Sequence, residues 1–140
     1  MRVMVIINAT KESEAGAMPS EKVLADMSKF NDELVNAGIW LAAEGLHPTS
    51  KAKRVKFSAG NRIVTDGPFA ETREQIAGFY IWKVKSMDEA VEWVKRIPFD
   101  EDAEGEEIDI RQVFDADDFG PELTPELRKL QDRIRAKAEE

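Results

Sequence analysis

Apolar positions along this chain recur with two different periods, and the switches between them mark out the predicted elements. The run Arg2-Val3-Met4-Val5-Ile6-Ile7 is rich in β-branched side chains, which favour extended backbone, so residues 2–8 are predicted to form a strand. Met4 and Ile6 fall on one side of it and Val3, Val5 and Ile7 on the other, so both faces are apolar and both need cover. A polar loop is expected next, closed by Pro19-Ser20, where Ser20 can cap the first amides of a helix. Val23, Leu24, Met27, Phe30, Leu34 and Val35 then repeat at helical spacing on an otherwise polar segment. Gly38 supplies a left-handed stop for that helix.

Residues 39–46 read as a second strand, and residues 53–58 and 62–66 as a hairpin around a three-residue loop, Ala59-Gly60-Asn61. Residues 76–85 carry Phe79, Tyr80, Ile81 and Trp82 and form another strand that is apolar on both faces. Ser86-Met87-Asp88-Glu89 has the pattern of a reciprocal capping box opening a second helix. That helix has a stripe of Met87, Ala90, Val91, Val94 and Ile97 and is stopped by Pro98. Residues 107–114 alternate as a half-buried strand does. The order is β-α-β, hairpin, β-α-β, which predicts an α+β fold of ferredoxin-like split βαβ type with an inserted hairpin. Two helices cover one sheet face only, so a second copy of the same sheet, related by a two-fold axis, is the economical cover for the other; a homodimer is expected. A boundary follows Phe119-Gly120-Pro121, placing the main domain at 1–119 and a helical extension at 120–140. Thr124-Pro125-Glu126 starts the extension's helix, and Leu123, Leu127, Leu130 and Ile134 give it a thin apolar stripe that is expected to pack on the domain or on a partner.

Composition narrows the functional classes. The chain has 140 residues, enough for a core without covalent staples. It contains no cysteine, which excludes disulfides, thiolate metal sites and a cysteine nucleophile and fits a cytoplasmic protein. The apolar run at the N-terminus is too short for a signal peptide or a membrane span, so no membrane partner is expected. A net charge of −8 argues against a nucleic-acid partner, because binding a phosphate backbone needs a basic surface. The acidic runs at 100–107 and 115–118 read as solvated loops, and their spacing does not match a calcium-binding EF-hand loop.

The stretch Asp66-Gly67-Pro68-Phe69-Ala70-Glu71-Thr72-Arg73-Glu74, followed by Ala77-Gly78-Phe79-Tyr80, resembles the signature of the DGPF branch of the YCII-related family. Pro19-Ser20-Glu21, Glu44-Gly45-Leu46-His47-Pro48 and Asp88-Glu89-Ala90 with Trp93 agree with it, and the resemblance covers about residues 1–114. Arg73 stands where many members have lysine, and Ala77 where many have glycine. The resemblance implies a ferredoxin-like fold dimerised sheet to sheet as a dimeric α/β barrel. Most of the family is uncharacterised; the activities suggested for relatives are lyase-like or hydrolytic steps on small molecules, and no cofactor is expected here. Those relatives carry a histidine on the first helix paired with an aspartate. Here Asp26, Met27 and Ser28 stand nearest that place, so no such dyad is transferred. Some relatives are encoded beside sigma-factor-like regulators, which leaves a regulatory role open.

Two readings attach to the residues themselves. In one, Asp66 begins a tight turn and its carboxylate accepts that turn's amides, with Gly67 giving an unusual φ and Pro68 a fixed one. In the other, Asp66 is a general acid or base acting on a small molecule, assisted by His47 or Glu44, with Phe69 and Tyr80 shaping the pocket. Glu71 and Glu74, three apart, would share one face of a helical turn, with Arg73 forming either a solvated, self-paired charge cluster or a polar rim around the Asp66 pocket. His47 is the sole histidine and cannot by itself build a zinc site, so no metal is expected. A pocket with convergent polar groups points to an enzyme; an Asp66 consumed by its own turn points to a non-catalytic ligand-binding or regulatory dimer.

Overall fold

The structure is a computed structural model that describes residues 1–100 and 103–140; Glu101 and Asp102, in the first acidic run, lie outside the described residues. The elements in order are β1 (Arg2–Asn8), α1 (Lys11–Glu14), α2 (Glu21–Asn36), β2 (Trp40–Gly45), β3 (Lys53–Ser58), β4 (Asn61–Asp66), β5 (Ile76–Lys83), α3 (Met87–Val94), β6 (Ile108–Gln112) and α4 (Pro125–Ala138). Four strands form an antiparallel sheet in the order β2-β5-β1-β6, and β3 and β4 form a separate two-stranded ladder. The interleaving of β1-α2-β2 with β5-α3-β6 is compatible with a ferredoxin-like α+β fold.

Local chemistry accounts for most boundaries. The Ser20 hydroxyl accepts from the Val23 amide at the start of α2, and the Thr124 hydroxyl accepts from the Leu127 amide at the start of α4. Gly38, with φ +74°, ends α2 while the Ile39 amide donates to the Leu34 carbonyl.

Four expectations need correction. The polar loop after β1 contains a helical turn, α1, because Thr10 and Ser13 cap each other's amides reciprocally. At α3 only half of the expected box exists: Ser86 accepts from the Glu89 amide, and no return bond forms. The helix α3 itself ends at Val94 and not at Pro98; Arg96 and Ile97 continue in tighter turns, their amides donating to the carbonyls of Trp93 and Val94, and Ile97 is buried in the core as expected. The hairpin loop has two residues, with Ala59 at φ +48° and Gly60 at φ +82° between the paired Ser58 and Asn61. Positive φ at both positions matches the right-handed twist of the strands, which a longer loop would not need to do.

The core lies between the sheet and α2 with α3. Val3 and Val5 of β1, Tyr80 and Trp82 of β5, Phe30 and Leu34 of α2, and Ala90 of α3 are buried together. Trp82 packs edge-on to Phe30, with ring centroids 6.4 Å apart. Leu24 and Val35, assigned to the buried stripe of α2, are exposed, so the stripe is narrower than its periodicity implies.

Among the described residues no helix covers the opposite sheet face. Register places Ala42, Ile81, Met4 and Arg111 in one cross-strand row and Glu44, Phe79, Ile6 and Asp109 in the next. The middle positions of both rows are apolar and half-buried, and the β6 edge is charged. No helix among the described residues is long and apolar enough to cross a membrane. The apolar stripe of α4 stays exposed at Leu127, Leu130 and Ile134. An Arg128–Asp117 ion pair at 2.9 Å ties that helix back to the segment before it.

Candidate functional site

The connection from β4 to β5 is held by a buried threonine that the sequence pattern does not single out. Thr49 follows β2 in a short 3₁₀ turn, and among the described residues it is the one buried residue of the polar and charged types. Its amide donates to Glu14 Oε1 at 3.1 Å and its hydroxyl donates to Glu14 Oε2. The same hydroxyl oxygen accepts from the Phe69 amide at 3.1 Å. Glu14, at the end of α1, therefore fixes the hydroxyl's direction, leaving its lone pair for the turn; hydrogen bonds to a charged acceptor are the stronger kind.

Gly67 completes the lock by absence of a side chain. A Cβ at that position would stand 1.7 Å from the Thr49 carbonyl oxygen and 2.7 Å from its carbonyl carbon. Its φ is not in the positive region, so the glycine is required for space rather than for an unusual φ. The Gly67 amide donates to the Ala52 carbonyl at 2.9 Å, and the Gly67–Pro68 peptide is cis. The Arg54 guanidinium lies over the Phe69 ring, 3.9 Å from its centroid, and clamps the turn to the base of the hairpin.

Asp66 does not cap this turn. The amides of Gly67 and Phe69 go to Ala52 and Thr49, while the carboxylate receives Lys53 Nζ across the hairpin at 2.6 Å. Its side chain is 74% exposed. Glu71 sits at φ +62°, a left-handed conformation that costs a non-glycine residue roughly 1–2 kcal/mol. It precedes the 3₁₀ turn Thr72–Glu74, so Glu71 and Glu74 do not share a helical face as expected.

The remaining candidates lie elsewhere. Glu44 is on the open sheet face beside Phe79. His47 is exposed in the segment between β2 and Thr49. Tyr80 points to the helix-covered side, where its hydroxyl donates to Asn31 Oδ1 at 2.7 Å. Burial pushes the Tyr80 phenol up to about 12. The structure thus brings Asp66, Phe69 and Glu71 into one turn and keeps Tyr80 on the far face of the sheet from Glu44. Of two surface hollows, one is lined by Glu126, Lys129, Asp132 and Arg133 and the other by Gln112, Val113, Phe114 and Asp118; neither includes a candidate residue. Outside the turn, burial and then the nearby Glu12 raise the Glu106 carboxyl.

The segment that carries the sheet, the lock and the turn is also the segment that matches known proteins: residues 1–114 match the YCII-related domain. The chain belongs to the YCII-related family. An uncharacterised protein of Rhizobium meliloti (strain 1021) is 43% identical over 75 residues, a match that takes in 54% of this chain. The match spans 60% of that curated relative's length. In this YCII-related chain, the residues missed by sequence reasoning are Glu14, Thr49 and Asn31. Each acts through a partner distant in sequence, and no local spacing marks it; only Gly67, which tolerates no side chain, leaves a visible trace in the sequence.

Proposed function

We propose that this YCII-related chain works as a homodimer joined sheet to sheet as a dimeric α/β barrel, and that it binds a small molecule at the border of that joint. The supporting observation is the open sheet face. Ile81 beside Met4 and Phe79 beside Ile6 form a contiguous apolar centre with no helix over it among the described residues, in a sheet whose other face buries Val3, Val5, Tyr80 and Trp82. Soluble monomers rarely leave such a surface uncovered. Glu44, in the same row as Phe79, places a carboxylate at the edge of the patch, where a pocket between protomers would have one polar and one apolar wall. Sedimentation equilibrium tests the reading. A dimer mass is expected for the natural chain and a monomer mass for Phe79→Glu, which would bury a charge in the joint; a monomeric natural chain at micromolar concentration overturns it.

A second reading puts chemistry at the β4–β5 turn. Asp66 is a cofactor-free general acid or base for a lyase- or hydrolase-type step, with His47 assisting and Phe69 and Glu71 shaping its surroundings. What favours this is that the carboxylate reaches solvent instead of serving its own turn, as a group that must exchange protons with a substrate does. Turnover or ligand binding lost in Asp66→Asn with unchanged stability supports it, and retained turnover defeats it. Without catalysis, the same dimer is a ligand-binding or regulatory partner.

A further inference from the structure

The β3–β4 hairpin is the least explained part of the molecule. Every residue from Lys53 to Ser58 and from Asn61 to Asp66 is exposed, on both faces of the ladder. An isolated two-stranded hairpin is marginal in water, because its ladder has no hydrophobic face to bury. Lys53–Asp66 closes the base of this hairpin, where Gly67–Ala52 and Arg54–Phe69 join it to the turn that follows. Yet it has a face worth burying. Val55 pairs with Val64 and Phe57 with Arg62, which puts Val55, Phe57 and Val64 on one side. Phe57 is 70% exposed and Val64 60%.

Its charge points to an occupant. Residues 53–66 contain Lys53, Arg54, Lys56 and Arg62 against the single carboxylate of Asp66, a balance of +3 in a chain whose total is −8. The rest of the chain therefore carries −11, and two copies offer each other a basic apolar arm and an acidic body. We infer that the β3–β4 hairpin is an arm that docks on a second copy of this chain, its Val55–Phe57–Val64 face held against the partner's acidic surface. This rests on the dimeric reading above and extends it: the arm clasps the partner from outside the sheet-to-sheet joint. Association that joins opposite fields gains rate and specificity and weakens with salt.

The test is sedimentation equilibrium on the full chain, with circular dichroism to confirm folding. The double variant Phe57→Glu with Val64→Glu should weaken the dimer by about 10-fold or more, as loss of an aromatic anchor does. Lys56→Glu with Arg62→Glu should weaken it and also flatten its salt dependence. The chain has no cysteine, so a spin label on Asn61→Cys reports the tip alone; it should broaden amide resonances of an isotope-labelled, unlabelled-at-61 partner. Phe79→Glu separates the two proposals. A dimer broken by Phe79→Glu and untouched by both hairpin variants overturns the arm and leaves the sheet joint. A dimer broken by the hairpin variants and untouched by Phe79→Glu keeps the arm and removes the sheet joint. Broadening confined to the labelled chain, or saturable capture of a single-stranded DNA oligonucleotide in place of a second chain, overturns the arm as well.

Discussion

β1 with β5 and β3 with β4 are both antiparallel ladders, but they depend on different things. In the first, Val3, Val5 and Trp82 are fully buried beneath α2 and α3. In the second, no residue is buried on either face. The unburied ladder keeps continuous register from Lys53–Asp66 to Ser58–Asn61, whereas the buried one is interrupted at Ile7/Asn8, so the ladder by itself does not make a core. The net contribution of backbone hydrogen bonds is modest because water competes for the same groups, and side-chain burial supplies most of the difference. The family signature sits where the two regimes meet. Gly67, Thr49 and Glu14 fasten the unburied hairpin to the buried sheet.

That contrast breaks most severely in the sheet. Trp82→Ala should cost about 3–5 kcal/mol and leave the chain largely unfolded, as urea denaturation followed by circular dichroism will show. An effect near zero would mean that β5 is not the centre of the core.

At the junction, Gly67→Ala places a Cβ within bonding distance of the Thr49 carbonyl oxygen, so the turn must shift. A loss of about 1–3 kcal/mol is expected, the range for overpacking. Thr49→Val keeps the shape but strands the Phe69 amide and takes the hydroxyl donor from Glu14 Oε2, leaving Oε1 with the backbone amide, at a cost of roughly 1–3 kcal/mol. Because both changes attack one lock, the double variant should lose less than their sum. Full additivity would show that the glycine and the threonine act separately.

Tyr80 sharpens the same comparison through pH. Its folded pKa, about 12, exceeds the ordinary value of 10.0. The unfolded chain therefore releases the phenolic proton first, and stability should hold below pH 10 and fall between about 10 and 12, by roughly 2–3 kcal/mol in all. Tyr80 is the sole tyrosine, so phenolate absorbance reports this group directly. Titration of the native protein at the ordinary value would contradict its burial.

The smallest effect belongs to the hairpin base. Asp66→Asn removes an exposed ion pair with Lys53, which is worth at most about 1 kcal/mol. A larger loss of melting temperature would show that Asp66 supports the turn after all.

Sequence alone determined the parts of this protein that depend on neighbours a few residues away. The caps at Ser20 and Thr124, the stop at Gly38 and the alternating β-branched strands are set by backbone groups within one turn or one pleat. From their order came the interleaved sheet, and from the apolar face left over came the expectation of a dimer. Tertiary structure decided what depends on approach between distant segments. Gly67 reads in sequence as a residue chosen for φ, and only the contact with Thr49 shows that it is chosen for space. Asp66 reads as a cap, but the amides it would serve are taken by Ala52 and Thr49 from across the turn. Tyr80 and Glu44 look like partners in one pocket until the pleat and the register of β2 against β5 put them on opposite faces. Close approach, competition for a donor and side-chain direction in a bulged strand are all properties of pairs of segments, and neither member of a pair carries them alone.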